Sequence, residues 1–177
     1  MTGEAAHHSV SVAGVVIDEN GRTLVIQRRD IGQWEPPGGI LERDESIIEG
    51  LLREVREETG LVVEPIALTG VYKNMKLGVV ALVFRCRPAG GTLTENSEAT
   101  GFRWVQESEV SAIMPEAFAI RILDAYRNDA KPSIRDHDGV KLIAPTRQHL
   151  AGNPRFPGQQ SARFAARLAV RSGGQFI

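Results

Sequence analysis

GGILERDESIIEGLLREVREETGL, residues Gly38 to Leu61, holds six glutamates, and three of them (Glu54, Glu57 and Glu58) crowd into REVREE. The stretch opens on a glycine pair and reads as a helix from Ser46 to Thr59. Ser46 followed three residues later by Glu49 is the pattern of a capping box. Gly60 stands where a left-handed C-terminal cap belongs. Ile48, Leu51, Leu52, Val55 and Thr59 recur at helical spacing and are expected to face the core. At about 100° per residue, Glu54, Glu57 and Glu58 form one stripe beside that apolar face, not opposite it. Glu49 and Arg56 fall toward solvent. Gly50 lies on the carboxylate side, where a mid-helix glycine costs up to about 1 kcal/mol relative to alanine. Either a ligand approaches the backbone there or a neighbouring element packs closely.

Working outward, Ser9–Ile17 (SVSVAGVVI) reads as a strand, Glu19-Asn20-Gly21 as a turn, and Thr23–Arg28 as the returning strand. Asp30 to Gly39, with two prolines and two glycines, reads as a constrained loop. Val62–Tyr72 and Leu77–Arg87 are further strands. The second is almost continuously apolar, as a central strand should be. Gly101–Val105 is a short strand. Pro115 opens a second helix with Phe118, Ile122, Leu123 and Tyr126 along one side. Beyond Lys131, SIRDHDGVKLIAP reads as a hairpin around Asp138-Gly139, and Gln159–Arg171 as a short basic helix.

The chain has 177 residues, enough to bury a core without disulfides. Its one cysteine, Cys86, sits in an apolar run and reads as a core residue rather than a reactive thiol. There is no internal repeat, no membrane-length apolar segment and no signal-peptide pattern, so the cytoplasm is the expected location. Charge is unevenly spread. Residues 1–130 carry 13 basic and 20 acidic side chains, a balance of −7, whereas residues 131–177 carry 8 and 2, a balance of +6.

Crowded carboxylates repel at i,i+3 and i,i+4 spacing by a few tenths of a kcal/mol per pair. Arg53 offsets part of this, and a divalent cation would offset far more. Hard cations such as Mg²⁺ keep several waters and take one or two carboxylates plus substrate phosphates. The spacing sharpens the reading. Gly39, five residues, Glu45, seven residues, then Arg53-Glu54-Val55-Arg56-Glu57-Glu58-Thr59-Gly60-Leu61 matches G-x5-E-x7-R-E-U-x-E-E-x-G-U at every position, U being a bulky aliphatic. With average residue usage, a chance match is on the order of one in ten million. This pattern is the Nudix box, and the chain resembles a Nudix hydrolase.

The resemblance implies an α/β fold, an α/β/α sandwich around a mixed, partly curved β-sheet. It implies a hydrolase domain over residues 1–130 followed by a basic extension over 131–177, packed or mobile. It implies Mg²⁺-dependent hydrolysis of the pyrophosphate bond in a nucleoside diphosphate linked to another moiety, with Mn²⁺ as a substitute. Carried over residue by residue, Glu54, Glu57, Glu58 and the Gly39 carbonyl are metal ligands, Arg53 orients the carboxylates, and Glu45 supports them. Glu98, ahead of Glu95, is the extra carboxylate expected as base or auxiliary ligand, although the segment also reads as a plain polar loop. Trp34 is a candidate to stack on base or ribose, or to pack over the loop. Arg28 and Arg29 are candidates to meet phosphate. Markers of ADP-ribose, dinucleoside-polyphosphate and coenzyme A specialists are absent, so damaged nucleoside triphosphates and nucleotide sugars both stay open as substrates. A homodimer is expected from the family's habit.

Two alternatives remain. One is a non-catalytic nucleotide-binding regulatory domain, which the intact box disfavours. The other is nucleic-acid contact through the five arginines between Arg147 and Arg171, which no accompanying motif supports.

Overall fold

The computed structural model describes residues 7–95, 99–127 and 129–144. Twelve elements position the site: β1 (Ser9–Val16), β2 (Thr23–Arg28), β3 (Trp34–Glu35), β4 (Gly38–Ile40), α1 (Ile47–Thr59), β5 (Leu61–Asn74), β6 (Val79–Gly91), β7 (Ala99–Val105), α2 (Val110–Ile113), α3 (Glu116–Tyr126), β8 (Ser133–His137) and β9 (Leu142–Ile143). A six-stranded sheet runs in the order β4-β1-β6-β5-β8-β9, and a three-stranded sheet in the order β3-β2-β7. The larger sheet is mixed. β1 runs parallel to β6 from Ser9↔Val79 to Val16↔Cys86, and β5 runs antiparallel to β6. Register shifts at Val62/Val63, Pro65/Ala67 and Leu68/Gly70 bend β5.

Alternation along β1 divides the core in two. Val12 and Val16 join Leu51 and Val55 of α1, with Leu24, Val63 and Cys86. Ala13 and Val15 face the other way, into a cluster with Ile122 and Ala125 of α3, Val25, Tyr72 and Val83. Helices on both faces of the sheet make this an α/β/α sandwich. Gly14 shows how closely α1 lies on β1, because a Cβ there would come within 2.9 Å of the Val55 methyl.

Three expectations change, and a fourth point, left open between two readings, is resolved. First, β2 does not return along β1. The turn forms, with Gly21 at φ 72° and the Asp18 carboxylate accepting from the Asn20 and Arg22 N–H groups. Only the Ile17↔Thr23 bridge links the two strands, and β2 pairs with β7 in the smaller sheet.

Second, the expected loop over Asp30–Gly39 contains two short strands. Trp34 pairs with Gln27, and Gly39 pairs with Val12. Pro36 and Pro37 have no N–H to donate, so the flanking residues join different sheets.

Third, the buried face of α1 is rotated toward the carboxylates. Gly50, Leu51, Glu54, Val55, Glu58 and Thr59 are buried, whereas Ile48 and Leu52 are exposed. Fourth, Gly50 reflects close packing and not ligand approach, because a Cβ there would meet the Leu41 side chain at 2.5 Å and the Glu45 carboxylate at 2.7 Å.

Past residue 130, β8 runs parallel to β5 from Gly70↔Ser133 to Asn74↔His137, and β9 pairs back onto β8. A buried ion pair fastens this edge. Arg135 donates to both Asp124 oxygens at 2.6 and 2.7 Å, and the Tyr72 hydroxyl donates to Oδ2 at 2.8 Å. Burial alone would raise the Asp124 pKa, but these donors lower it. The basic helix expected over Gln159–Arg171 lies outside the described residues. Among those described, no helix is long and apolar enough to cross a membrane.

Candidate active site

The site is assembled where α1 meets the glycine pair of β4. Ser46 caps α1, its hydroxyl accepting from the Glu49 N–H while the Glu49 carboxylate accepts from the Ser46 N–H at 2.8 Å. Gly60 closes the helix at φ 78°. The thirteen residues between hold the carboxylates at fixed angles around the axis.

Glu58 is 5% exposed, and its Oε2 accepts from the Gly38 N–H at 2.6 Å. Glu54 is buried against Gly39, where a Cβ would lie 2.5 Å from a carboxylate oxygen. Only glycine leaves room for that carboxyl group. At Gly38 the obstacle is backbone, since a Cβ would fall 2.2 Å from the Val12 carbonyl oxygen. Glu57 points outward, its side chain 60% exposed.

Arg53 ties the group together. Its Nε and Nη2 donate to the two oxygens of Glu45 at 2.9 and 2.6 Å. Nη1 donates to Glu54 at 2.9 Å and to Glu57 at 3.1 Å, and Nη2 also reaches the Ile40 carbonyl at 3.3 Å. One planar guanidinium thus serves three carboxylates, which a lysine could not do in that geometry. Hydrogen bonds from Arg53, then the Glu42 N–H, hold the Glu45 carboxyl down at about 2, and Glu45 in turn raises Arg53.

Among the described residues, no three His, Cys, Asp or Glu side chains converge to enclose a metal by themselves. Arg53 accounts for part of this by occupying oxygens of Glu54 and Glu57. The donor set is nevertheless all oxygen, and an open cluster that leaves coordination positions to water and phosphate is what Mg²⁺ prefers. The residues therefore fit a hard divalent cation.

A cavity of about 220 Å³ adjoins the other side of the same glycine pair, lined by Arg28, Glu35, Gly38, Gly39, Phe118 and Arg121 among others. Arg28 donates to both Asp30 oxygens at 2.9 and 2.7 Å and to Glu35 at 3.3 Å. Burial raises the Glu35 pKa against the pull of Arg28. Arg29 is exposed and does not line this cavity. Trp34 is half-buried, carries Arg103 over its ring at 5.5 Å, and is not part of the cavity wall either. Glu98 lies outside the described residues. Glu35 and Arg121 were not anticipated from sequence. Their only signal was an acid beside Pro36-Pro37 and an arginine three residues after Phe118, on the apolar side of its helix.

These features agree with the comparisons. The NUDIX domain profile matches residues 7–127. A MutT-like protein of Streptomyces ambofaciens is 57% identical over 136 residues, 77% of this chain and 88% of that one. A putative 8-oxo-dGTP diphosphatase of Bacillus subtilis is 31% identical over 101 residues, covering 56% and 68%. An ADP-ribose pyrophosphatase of Methanocaldococcus jannaschii is 33% identical over 100 residues, covering 52% and 59%. Among solved structures, a NUDIX hydrolase from Nitrosomonas europaea superposes with a TM-score of 0.64 at 23% identity, over 76% of this chain and 82% of that one. The chain belongs to the Nudix hydrolase family, whose members act on phosphoric anhydride bonds and generally use divalent metal ions.

Proposed function

We propose that the protein hydrolyses the pyrophosphate bond of a nucleoside diphosphate linked to another moiety, with Mg²⁺ as the resident ion. The observation that carries this reading is the Glu54–Glu58 pair, buried one helical turn apart against the Gly38–Gly39 backbone. Carboxylates buried this close together repel, Arg53 offsets only part of that, and a divalent ion would add positive charge that a diphosphate shares.

Glu54, Glu57, Glu58 and the Gly39 carbonyl are the oxygens that would hold the ion. When bound, the ion neutralises the diphosphate, acidifies a water and steadies the leaving oxygen. Arg53 keeps the carboxylates in register, and Glu45 keeps Arg53 in place. A carboxylate takes the proton from the attacking water, and Glu98 is the candidate for that role. Arg28, at the cavity rim, meets phosphate. The relatives' names point to substrates that differ in base, an oxidised guanine nucleotide in one and ADP-ribose in another. The working form is taken to be a cytoplasmic homodimer.

The test is release of phosphate and nucleotide from a panel, with Mg²⁺ and then Mn²⁺, for the wild type and Glu58→Gln. The panel holds ADP-ribose, nucleotide sugars, dinucleoside polyphosphates, NADH, and normal and oxidised nucleoside triphosphates. Turnover of one class, abolished in the variant, is the expected result. Metal-dependent binding of one compound with no turnover would establish the regulatory reading instead.

A further inference from the structure

The face of the larger sheet that carries α1 is only partly covered. Residues in register across a sheet point to the same side, so each row can be assigned to a face. Val12, in the core cluster with Leu51 and Val55 of α1, is in register with Leu82, Leu82 with Val71, and Val71 with Ile134. The next row toward the β5–β6 turn holds Val10, Val80, Lys73, Asp136 and Ile143. On the other side of the Val12 row, Phe84 is in register with Leu68. Tyr72 and Arg135 alternate with these residues and reach Asp124 of α3 on the opposite face. Coverage by α1 fades across the rows. Val12 is 1% exposed, Val71, Leu82 and Phe84 are half-buried, and Leu68, Ile143 and Ile134 are 37%, 43% and 83% exposed. Contiguous apolar rows of this kind mark a contact surface.

Two charges within the rows point to the occupant. Lys73 and Asp136 are neighbours in register on β5 and β8, yet they form no ion pair with each other. Among the described residues, neither side chain has an ion-pair or hydrogen-bond partner. A surface that sets an unpaired cation beside an unpaired anion is complementary to its own copy turned by a two-fold axis. With that axis lying in the face, along the strands and between β5 and β8, Lys73 meets Asp136 of the partner subunit, and the contact occurs twice. The same axis sets Val71 opposite Ile134 of the partner subunit. Stacked sheets lie about 10 Å apart, close to the diameter of a helix, so a second sheet fits the layer that α1 leaves open. The Gly38–Gly39 pair is on β4, at the opposite edge of the sheet, and stays clear of the contact.

We propose that the face formed by β6, β5 and β8 is the interface of a symmetric homodimer, in which an apolar contact around Ile134 is flanked by reciprocal Lys73–Asp136 pairs between copies. Nothing in this depends on what the active site hydrolyses.

The test is sedimentation equilibrium of the full chain and its variants, with circular dichroism to show that each is folded. The wild type is expected to have twice the mass of one chain. Ile134→Glu changes a side chain that is 83% exposed in the single chain, so it should leave the fold intact and yield monomers. Lys73→Glu and Asp136→Lys each set like charges across the axis and should each weaken the dimer about ten-fold or more. Mixed in equal amounts, these two variants should form a heterodimer, because each copy then supplies the charge that the other lacks. Both changes in one chain should restore the dimer. A monomeric wild type overturns the proposal and leaves the face to an unlike partner. A dimer that none of the single substitutions weakens places the contact elsewhere and overturns it as well. Charge variants that dissociate alone and stay apart when mixed refute the reciprocal pairing, and with it the proposal.

Discussion

Arg53 and Glu45, eight residues apart, meet in a two-point contact at 2.9 and 2.6 Å, with the guanidinium plane fixed by the carboxylate. Removing one member should therefore release the other. The Glu45 pKa is about 2 in the folded chain against the usual 4.5. A folded value below the unfolded one gives stability that is complete above 4.5 and is lost as pH falls toward about 2. Glu45→Gln abolishes that dependence. Thermal melts of both proteins should differ by a constant amount above pH 4.5 and converge below it. In Mg²⁺ assays the variant should lose kcat more than it gains KM, because freed Arg53 no longer holds Glu54 and Glu57.

The two glycines of β4 should separate chemistry from folding. Gly39→Ala pushes only the end of the Glu54 side chain, so melting should shift by less than about 1 kcal/mol while turnover falls about a hundred-fold, the scale of a 1 Å misplacement. Gly38→Ala strikes the Val12 carbonyl, which cannot swing away. That variant should lose about 2–3 kcal/mol or more in a urea titration. Comparable stability losses in the two would contradict this division.

The rotated face of α1 can be checked with adjacent leucines. Leu51 is fully buried and Leu52 is 36% exposed. Leu51→Ala should cost about 2–5 kcal/mol, and Leu52→Ala under about 1 kcal/mol, read by chemical denaturation.

Asp124 has a fully buried side chain and depends on Arg135 across the sheet edge. Arg135→Met leaves that charge underpaired, with a loss of about 3 kcal/mol, at the low end for a broken buried pair because Tyr72 and Arg127 still donate. Hydrogen exchange should show β8 opening before the rest of its sheet.

The legible parts of this molecule were those where a few residues must keep fixed spacing. The helix caps at Ser46 and Gly60, the carboxylates and Arg53 all follow from the helical repeat, and Cys86 follows from its apolar neighbours. Burial holds its thiol up at about 12, as an inert core group requires. Less legible was anything decided by distant partners. β1 and β2 are joined by a hairpin-like turn, yet each finds a better neighbour elsewhere in the chain. The buried face of α1 is turned toward Gly50, Glu54 and Glu58, which meet β4 and its flanking loop, and Ile48 and Leu52 are left exposed. Nothing in the sequence singled out Arg121, and only the packing of Phe118, Tyr72 and His137 around it sets it apart.

The Gly38–Gly39 backbone stands between the carboxylates of α1 and the cavity beneath α3. The carboxylates of α1 and the cavity wall supplied by α3 therefore stand on opposite faces of one sheet. A substitution in α3 can reshape that cavity while the contacts of Arg53 on α1 stay as they are. For anyone redesigning this enzyme, α3 is the handle to turn and α1 the part to leave alone.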